Sequence, residues 1–345
     1  MRLIVTGGAG FIGSHLLKFW NRAYPEAEIL NVDKLGYASD RAFESSLSFP
    51  QKYSFQKLDL AEADRVLKIF KEFRPDAVIH LAAESHVDNS IRGPEPFIDS
   101  NIRGTFHVLE ALRAIWGIAE QKSDQPIWMH RLHHVSTDEV FGSLGSDGYF
   151  TENTAYSPRS PYSATKAASD HLVRAWGETY NLNYTISNCS NNFGPGQHDE
   201  KLIPTIIRMA LRQEPIPIYG DGQNVRDWLA VEDHCFAIEK IILNGLPGST
   251  YCVGGKNEIT NIDLVRRVCS ILDGVKPSNL PNGYSSLIRF VTDRPGHDFR
   301  YAIDAEKIQN ELGWQPSVSI EERLSETVRW YVRHYSKKLD GDSII

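Results

Sequence analysis

The sequence predicts an α/β protein: a doubly wound parallel sheet followed by a smaller, less regular α/β region. Three observations predict it. Short apolar, β-rich runs alternate with longer runs of helical period through about residue 190. Glycines crowd the turn between the first strand and the first helix. After about residue 193 the texture changes, with Gly194-Pro195-Gly196, Pro204, Pro215, Pro217, Gly220 and Gly222 punctuating shorter elements. Strands alternating with helices of this length make βαβ units, and right-handed crossovers put helices on both faces of a parallel sheet.

Taken in order, strands are predicted at 3–6, 29–32, 53–58, 77–82, 132–136 and 184–188, and a helix at 11–23. Ile102, Phe106, Leu109, Leu112 and Ile115 recur at helical spacing, as do Ala168, Leu172, Ala175 and Trp176. The longest loop, 142–160, is rich in Ser, Gly and Pro and directly follows the fifth strand. Loops at the carboxyl ends of parallel strands carry function in this architecture. A last helical run, 320–332, precedes a polar tail, 336–345, expected to fray.

Composition removes several classes. The 345 residues are 41% apolar and 23% charged, so disorder and coiled coil are excluded. No apolar run approaches the ~18 residues of a membrane span. The net charge of −7 repels nucleic acid and anionic lipid, so an anionic ligand must be held by a few local cations. Cys189, Cys235, Cys252 and Cys269 form no CxxC pair and read as reduced thiols, and no ligand spacing points to a metal. The N-terminus lacks a signal-peptide pattern, so a cytoplasmic protein is expected.

Gly7-Gly8-Ala9-Gly10-Phe11-Ile12-Gly13 follows the first strand and opens the first helix. It satisfies GxGxxG, whose backbone N–H groups hold a pyrophosphate at a helix N-terminus. Asp33 ends the second strand, twenty residues past Gly13. Its carboxylate suits a ribose diol and repels a 2′-phosphate, which favours NAD over NADP, although Lys34 stands beside it. The first 193 residues therefore read as a Rossmann-type NAD-binding domain, with returns near 228–256 and 312–330. Residues 194–345 are mainly the smaller, substrate-holding domain. Asp59 and Leu60 end the third strand, where an adenine edge or an ordinary turn would fit. Leu81-Ala82-Ala83 ends the fourth strand with small side chains, through cofactor contact or simple tight packing.

Tyr162 and Lys166 stand one turn apart at the start of the helix after the fifth strand. A nearby ammonium and a nicotinamide charge would lower the phenol's pKa, so that a phenolate could take a proton from a sugar hydroxyl as hydride leaves. The fifth strand runs into Thr137-Asp138-Glu139. Thr137 could hydrogen-bond the same hydroxyl, and two adjacent carboxyls in different environments can divide acid and base roles.

These residues carry a resemblance. TGGAGFIGS, NVDKL, HLAAESHVD, HVSTDEVFG, SPYSATKAASDHLVRAW, EKLIP, VRDWL and DRPGHDFRYAID resemble the extended short-chain dehydrogenase/reductases and, within them, the dTDP-glucose 4,6-dehydratases, over about residues 1 to 332. The Thr-Asp-Glu triplet separates this family from epimerases and decarboxylases of the same superfamily. Departures include Asn89, Phe141, Phe193, Cys252 and the Gly196–Asp199 stretch. The resemblance implies an NAD-dependent lyase acting on dTDP-glucose, with Asp138 as acid and Glu139 as base. It implies Asn192 and Ser100 toward the cofactor. Toward the substrate it implies Ser85, Asn191, Lys201, Leu202, Ile203, Pro204, Pro217, Ile218, Tyr219, Arg226, Asn261, Arg294 and His297, with the arginines on the diphosphate. It also implies a homodimer, paired through helices near 101–116 and 162–180 with Trp116, Leu172 and Trp176 among the bulky groups. An epimerase or decarboxylase of the same fold, and an inactive NAD-binding protein, are the competing readings.

Overall fold

The computed structural model describes residues 1–117 and 125–339; the end of the polar tail, from residue 340, lies outside the described residues. Its strands are β1 (Arg2–Thr6), β2 (Glu28–Asp33), β3 (Tyr53–Lys57), β4 (Ala77–His80), β5 (Arg131–Thr137), β6 (Asn183–Cys189), β7 (Asn191–Phe193), β8 (Ile216–Tyr219), β9 (Val225–Ala230), β10 (Thr250–Val253), β11 (Glu258–Thr260) and β12 (Ile288–Val291). Seven of them form one sheet in the order β10-β6-β5-β4-β1-β2-β3, and every pairing in it is parallel. The six predicted strands are its first six, each within a residue or two. The fourth is shorter than expected: residues 81–82 leave the sheet beyond His80, while the Leu81 N–H still donates to Thr6 O at 3.1 Å.

Alternate residues of the same strands feed two cores, which is why these runs read as continuously apolar. Leu3, Val5, Ile29, Ala77 and Ile79 face Leu16, Leu17 and Trp20 of the helix Phe11–Ala23, and Ile238 and Ile242 of the helix Val231–Asn244. Ile4, Leu30, Val78, Leu132 and Ile186 face Val66, Phe70, Leu109, Leu112 and Val173 on the other side. Arg131 is fully buried in β5 because Nη1 donates to Ile241 O and Ile242 O. A cation there suits the negative end of the helix Val231–Asn244.

A third core joins the helices Leu202–Leu211, Asn261–Val275 and Ile320–Leu339 through Ile207, Val268, Leu272, Leu324 and Val328. β9 pairs with β7 and β11, and β8 with β12, in two small sheets. Strand order reverses about β1, between β2 and β4, and the crevice at that switch point is where ligands bind in open α/β sheets.

Candidate active site

A cleft of about 320 Å³ opens at the carboxyl ends of the central strands. Every residue expected to hold a cofactor lines it: Gly7, Gly10, Phe11, Ile12, Gly13, Asp33, Lys34, Asp59, Leu60, Leu81, Ala82, Ala83, Ser100, Tyr162, Lys166 and Asn192. Gly7 has φ +74°, and a Cβ there would lie 2.6 Å from Ala82 N. A Cβ on Gly13 would lie 2.3 Å from Gly7 O. Both positions therefore require glycine. Gly10, the N-cap of the first helix, has no side chain to satisfy the helix's leading N–H groups, so they face the cleft as an anion cradle.

Asp33 is buried and accepts from Ala9 N at 3.0 Å, Leu35 N at 2.7 Å and Ser39 Oγ at 3.2 Å. Asp59 accepts from Ala61 N at 2.9 Å, the turn contact that was one of its two readings. The cradle, the rim carboxylate and the close approach of Ala82 backbone fit a dinucleotide. Ser100 reaches the cleft from a π-helical turn, Ile98–Arg103, a feature frequent at functional sites.

Ser160 and Ser163 form a reciprocal cap, each backbone N–H 3.0 Å from the other's Oγ, and Pro161 opens the helix Pro161–Tyr180. This fixes Tyr162 in the first turn. Lys166 Nζ donates to Val135 O at 2.9 Å. The expected lowering of the Tyr162 pKa is not found in the protein's own groups. Burial and the Glu139 carboxylate push the phenol well above its usual range, and Thr137 hydrogen bonding pulls back only partly. The reason is geometric: the phenol shares a dry site with two carboxyls.

Those carboxyls differ. Asp138 is fully buried, and burial and then Glu139 raise its pKa well above the carboxylate range. Its Oδ1 accepts from Thr137 Oγ1 at 3.3 Å, and its Oδ2 has no partner among the described residues. Glu139 is also raised by burial, but Arg294, Arg226 and Lys201 oppose the shift. One carboxyl is held toward the acid form and the other is kept nearer its anion.

The substrate-side expectations divide. Ser85, Thr137, Asp138, Glu139, Asn191 and Lys201 line the cleft, and Lys201 Nζ donates to Ser85 O at 3.2 Å. Ile203, Pro204 and Ile218 do not reach it with their side chains, which are buried in or beside the third core, and Leu202 packs against that core as well. Pro217 and Tyr219 alternate outward from the same strand. Tyr219 and Arg294 both meet Asp88, at 3.1 and 3.3 Å, and His297 Nδ1 lies 2.6 Å from Asp293 Oδ1. Asn261 begins a helix, its N–H on Asn224 O. Arg226 is engaged within the protein itself. Nη1 donates to Val225 O at 2.7 Å, Nη2 to Asp298 O at 3.0 Å, and the guanidinium stacks on Tyr301.

Sequence reasoning missed Tyr37, Glu84 and Cys189, which also line the cleft, as do Gln197, His198 and Glu200. Glu84 follows β4 and Cys189 ends β6, so the strand-end rule could have found them. Tyr37 sits in an irregular loop with no periodicity to mark it. All four cysteines are free and buried, and burial pushes the Cys189 thiol up to about 12.

A model of the family described as GDP-mannose 4,6 dehydratase matches residues 4–327. A dTDP-glucose 4,6-dehydratase of Neisseria gonorrhoeae is 47% identical, covering 97% of each chain. One of Escherichia coli is 46% identical over 99% of this chain and 97% of its own. The crystal structure of a dTDP-glucose 4,6-dehydratase from Streptomyces venezuelae, solved with NAD bound, superposes with a TM-score of 0.86 at 40% identity, covering 97% and 98% of the two chains. With the cleft, the glycine cradle and the Thr-Asp-Glu triplet in place, the chain belongs to the dTDP-glucose 4,6-dehydratase family.

Proposed function

We propose that the protein converts dTDP-glucose to dTDP-4-keto-6-deoxyglucose and water. Bound NAD supplies the reversible hydride acceptor. Tyr162, as phenolate, takes the proton of the sugar's 4-hydroxyl, with Thr137 on the same oxygen and Lys166 as the cation beside it. Oxidation at C4 acidifies the hydrogen on C5. Glu139, the less raised carboxyl, removes that proton. Asp138, held in its acid form, gives a proton to the departing C6 hydroxyl. The C4 hydrogen returns to C6, a proton returns to C5, and the cofactor ends as it began.

The observation that carries this reading is the buried, upward-shifted Asp138 beside Glu139, with an unpartnered Oδ2. An epimerase needs neither an acid for a leaving hydroxyl nor a second carboxyl. Incubation with dTDP-glucose and NMR of the product test it. Loss of the C6 hydroxyl is the expected result, and a C4 epimer or a decarboxylated sugar would overturn it.

The division of labour we infer gives NAD to residues 1–193, with returns at 228–256 and 312–330, and the sugar nucleotide mainly to 194–345. No described helix is long and apolar enough to cross a membrane. We further infer a homodimer through the helices Gly104–Trp116 and Pro161–Tyr180. Phe106 is 39% exposed and meets Trp176 edge-on at 5.8 Å. Trp116 does not belong to that surface: it is buried in the core and donates to Pro75 O at 2.9 Å.

A further inference from the structure

The helix Pro161–Tyr180 carries more than Tyr162 and Lys166 on one face. Asp170 stands one turn beyond Lys166, and Arg174 one turn beyond that, at i, i+4 spacing. Asp170 is fully buried. A buried carboxylate persists only where partners compensate its lost hydration, and several elements supply them. From β5, Ser136 Oγ donates to Asp170 Oδ2 at 2.8 Å, and His134 Nε2 lies 3.1 Å from Oδ1. Tyr156 OH, from the loop before the helix, donates at 2.8 Å, and Asn188 Nδ2 of β6 lies at 3.4 Å.

His134 Nε2 is also 3.4 Å from Lys166 Nζ. Burial and Lys166 push His134 down to about 4, so the ring is neutral, and the Nε2–H tautomer is the one that can face a carboxylate. With that proton toward Asp170, Nε2 cannot also accept from Lys166, so the ammonium, the imidazole and the carboxylate stand in a row and Asp170 acts on Lys166 by charge across the ring. Among the described residues, His80, Cys189 and Arg174 beside the pair carry no negative charge. His80, 5.3 Å from the His134 ring, is neutral and hydrogen-bonded to Thr6 and Thr105. The Cys189 thiol stays protonated, and Arg174 donates to Tyr156 OH at 3.1 Å.

We propose that Asp170 is a positioning residue for proton transfer: it is the counter-ion that keeps buried Lys166 an ammonium, and through Lys166 it governs release of the Tyr162 proton. Burial pulls Lys166 down, and Asp170 is the first charge that opposes it. Asp170 is itself held below the usual range by His134, Lys166 and Ser136 despite its burial. This inference rests on Tyr162 acting as the base.

The test compares pH–rate profiles of the NAD-loaded wild type, Asp170→Asn and Tyr162→Phe with dTDP-glucose. Asp170→Asn keeps the shape of the side chain and removes the charge. Its acid limb should move up by on the order of 1–3 pH units, with KM little changed. A uniform fall in rate with an unmoved limb would make Asp170 a scaffold residue and overturn the proposal. Wild-type activity in Tyr162→Phe would instead overturn the reading of Tyr162, whatever Asp170 does. If Asp170→Asn does not fold, wild-type protein labelled with 13C at the lysine ε-carbons serves. Lys166 should report an ammonium at neutral pH, and a neutral amine there would contradict the proposal.

Discussion

Lys34 Nζ lies 2.6 Å from Glu84 Oε1 across the rim of the cleft. The cation next to Asp33 is therefore already paired, and Asp33 itself is fixed as an acceptor by Ala9 N and Leu35 N. A 2′-phosphate would meet a carboxylate and no free charge. The wild type should bind NAD well ahead of NADP. Asp33→Asn should weaken NAD by about ten- to a hundredfold, since a hydrogen bond to a charged group contributes roughly 1.5–3 kcal/mol. Glu84→Gln should improve NADP binding by freeing Lys34. Calorimetric titration of each variant checks this, and unchanged NAD affinity in Asp33→Asn would contradict it.

The two carboxyls should separate in time. Asp138→Asn and Glu139→Gln should still oxidise C4 and accumulate the near-ultraviolet absorbance of reduced nicotinamide without releasing product. General acid–base groups contribute typically ~10²–10⁴-fold, so turnover should fall by that much. Asp138 acts as an acid and its pKa is raised, so elimination should persist to higher pH than an ordinary aspartate allows and then fall as the group ionises. Tyr162 acts as a base with a raised pKa, so C4 oxidation should climb with pH. Stopped-flow profiles that are flat across the neutral range would refute both assignments.

Arg226→Lys tests the guanidinium fork. Lysine keeps the charge but loses the paired contacts to Val225 O and Asp298 O and the stacking on Tyr301. The variant should melt several degrees lower and bind dTDP-glucose about ten- to a hundredfold more weakly, at roughly 1.5–3 kcal/mol per charged hydrogen bond. NAD affinity should not change. A loss of substrate affinity with no loss of stability would mean the fork serves the diphosphate alone.

Assembly has its own readout. Phe106→Glu places a charge on the exposed ring position that meets Trp176, so sedimentation should give a dimer for wild type and a lighter species for the variant. A monomer in both, at micromolar protein, would remove the helix pair as an interface.

Much of the cofactor end was legible because a strand, a glycine turn, a helix start and an acidic strand end are local and fall in fixed order. Gly13 is an example: its lack of a side chain can be read as a necessity before the 2.3 Å approach to Gly7 O is seen. Tyr162 and Lys166 were legible for the same reason, as neighbours one helical turn apart. The charge state around them was not. It depends on Val135 O and on burial, which join β5 to the helix Pro161–Tyr180 in space and not in sequence. The internal partners of Arg226 were not legible either, since the carbonyl that holds Nη2 belongs to Asp298, 72 residues away. Ile203 and Ile218 sit in motifs that border the cleft, yet strand and helix periodicity turns their side chains into the third core.

The central claim is that one site removes hydrogen at C4, eliminates water across C5 and C6, and returns the same hydrogen at C6. Turnover of dTDP-glucose carrying deuterium at C4, with the product read by NMR, tests it most directly. The account predicts the deuterium on C6 of a 4-keto-6-deoxy sugar, one solvent-derived hydrogen at C5, and no net reduction of NAD. Deuterium retained at C4, or lost to solvent, would contradict it.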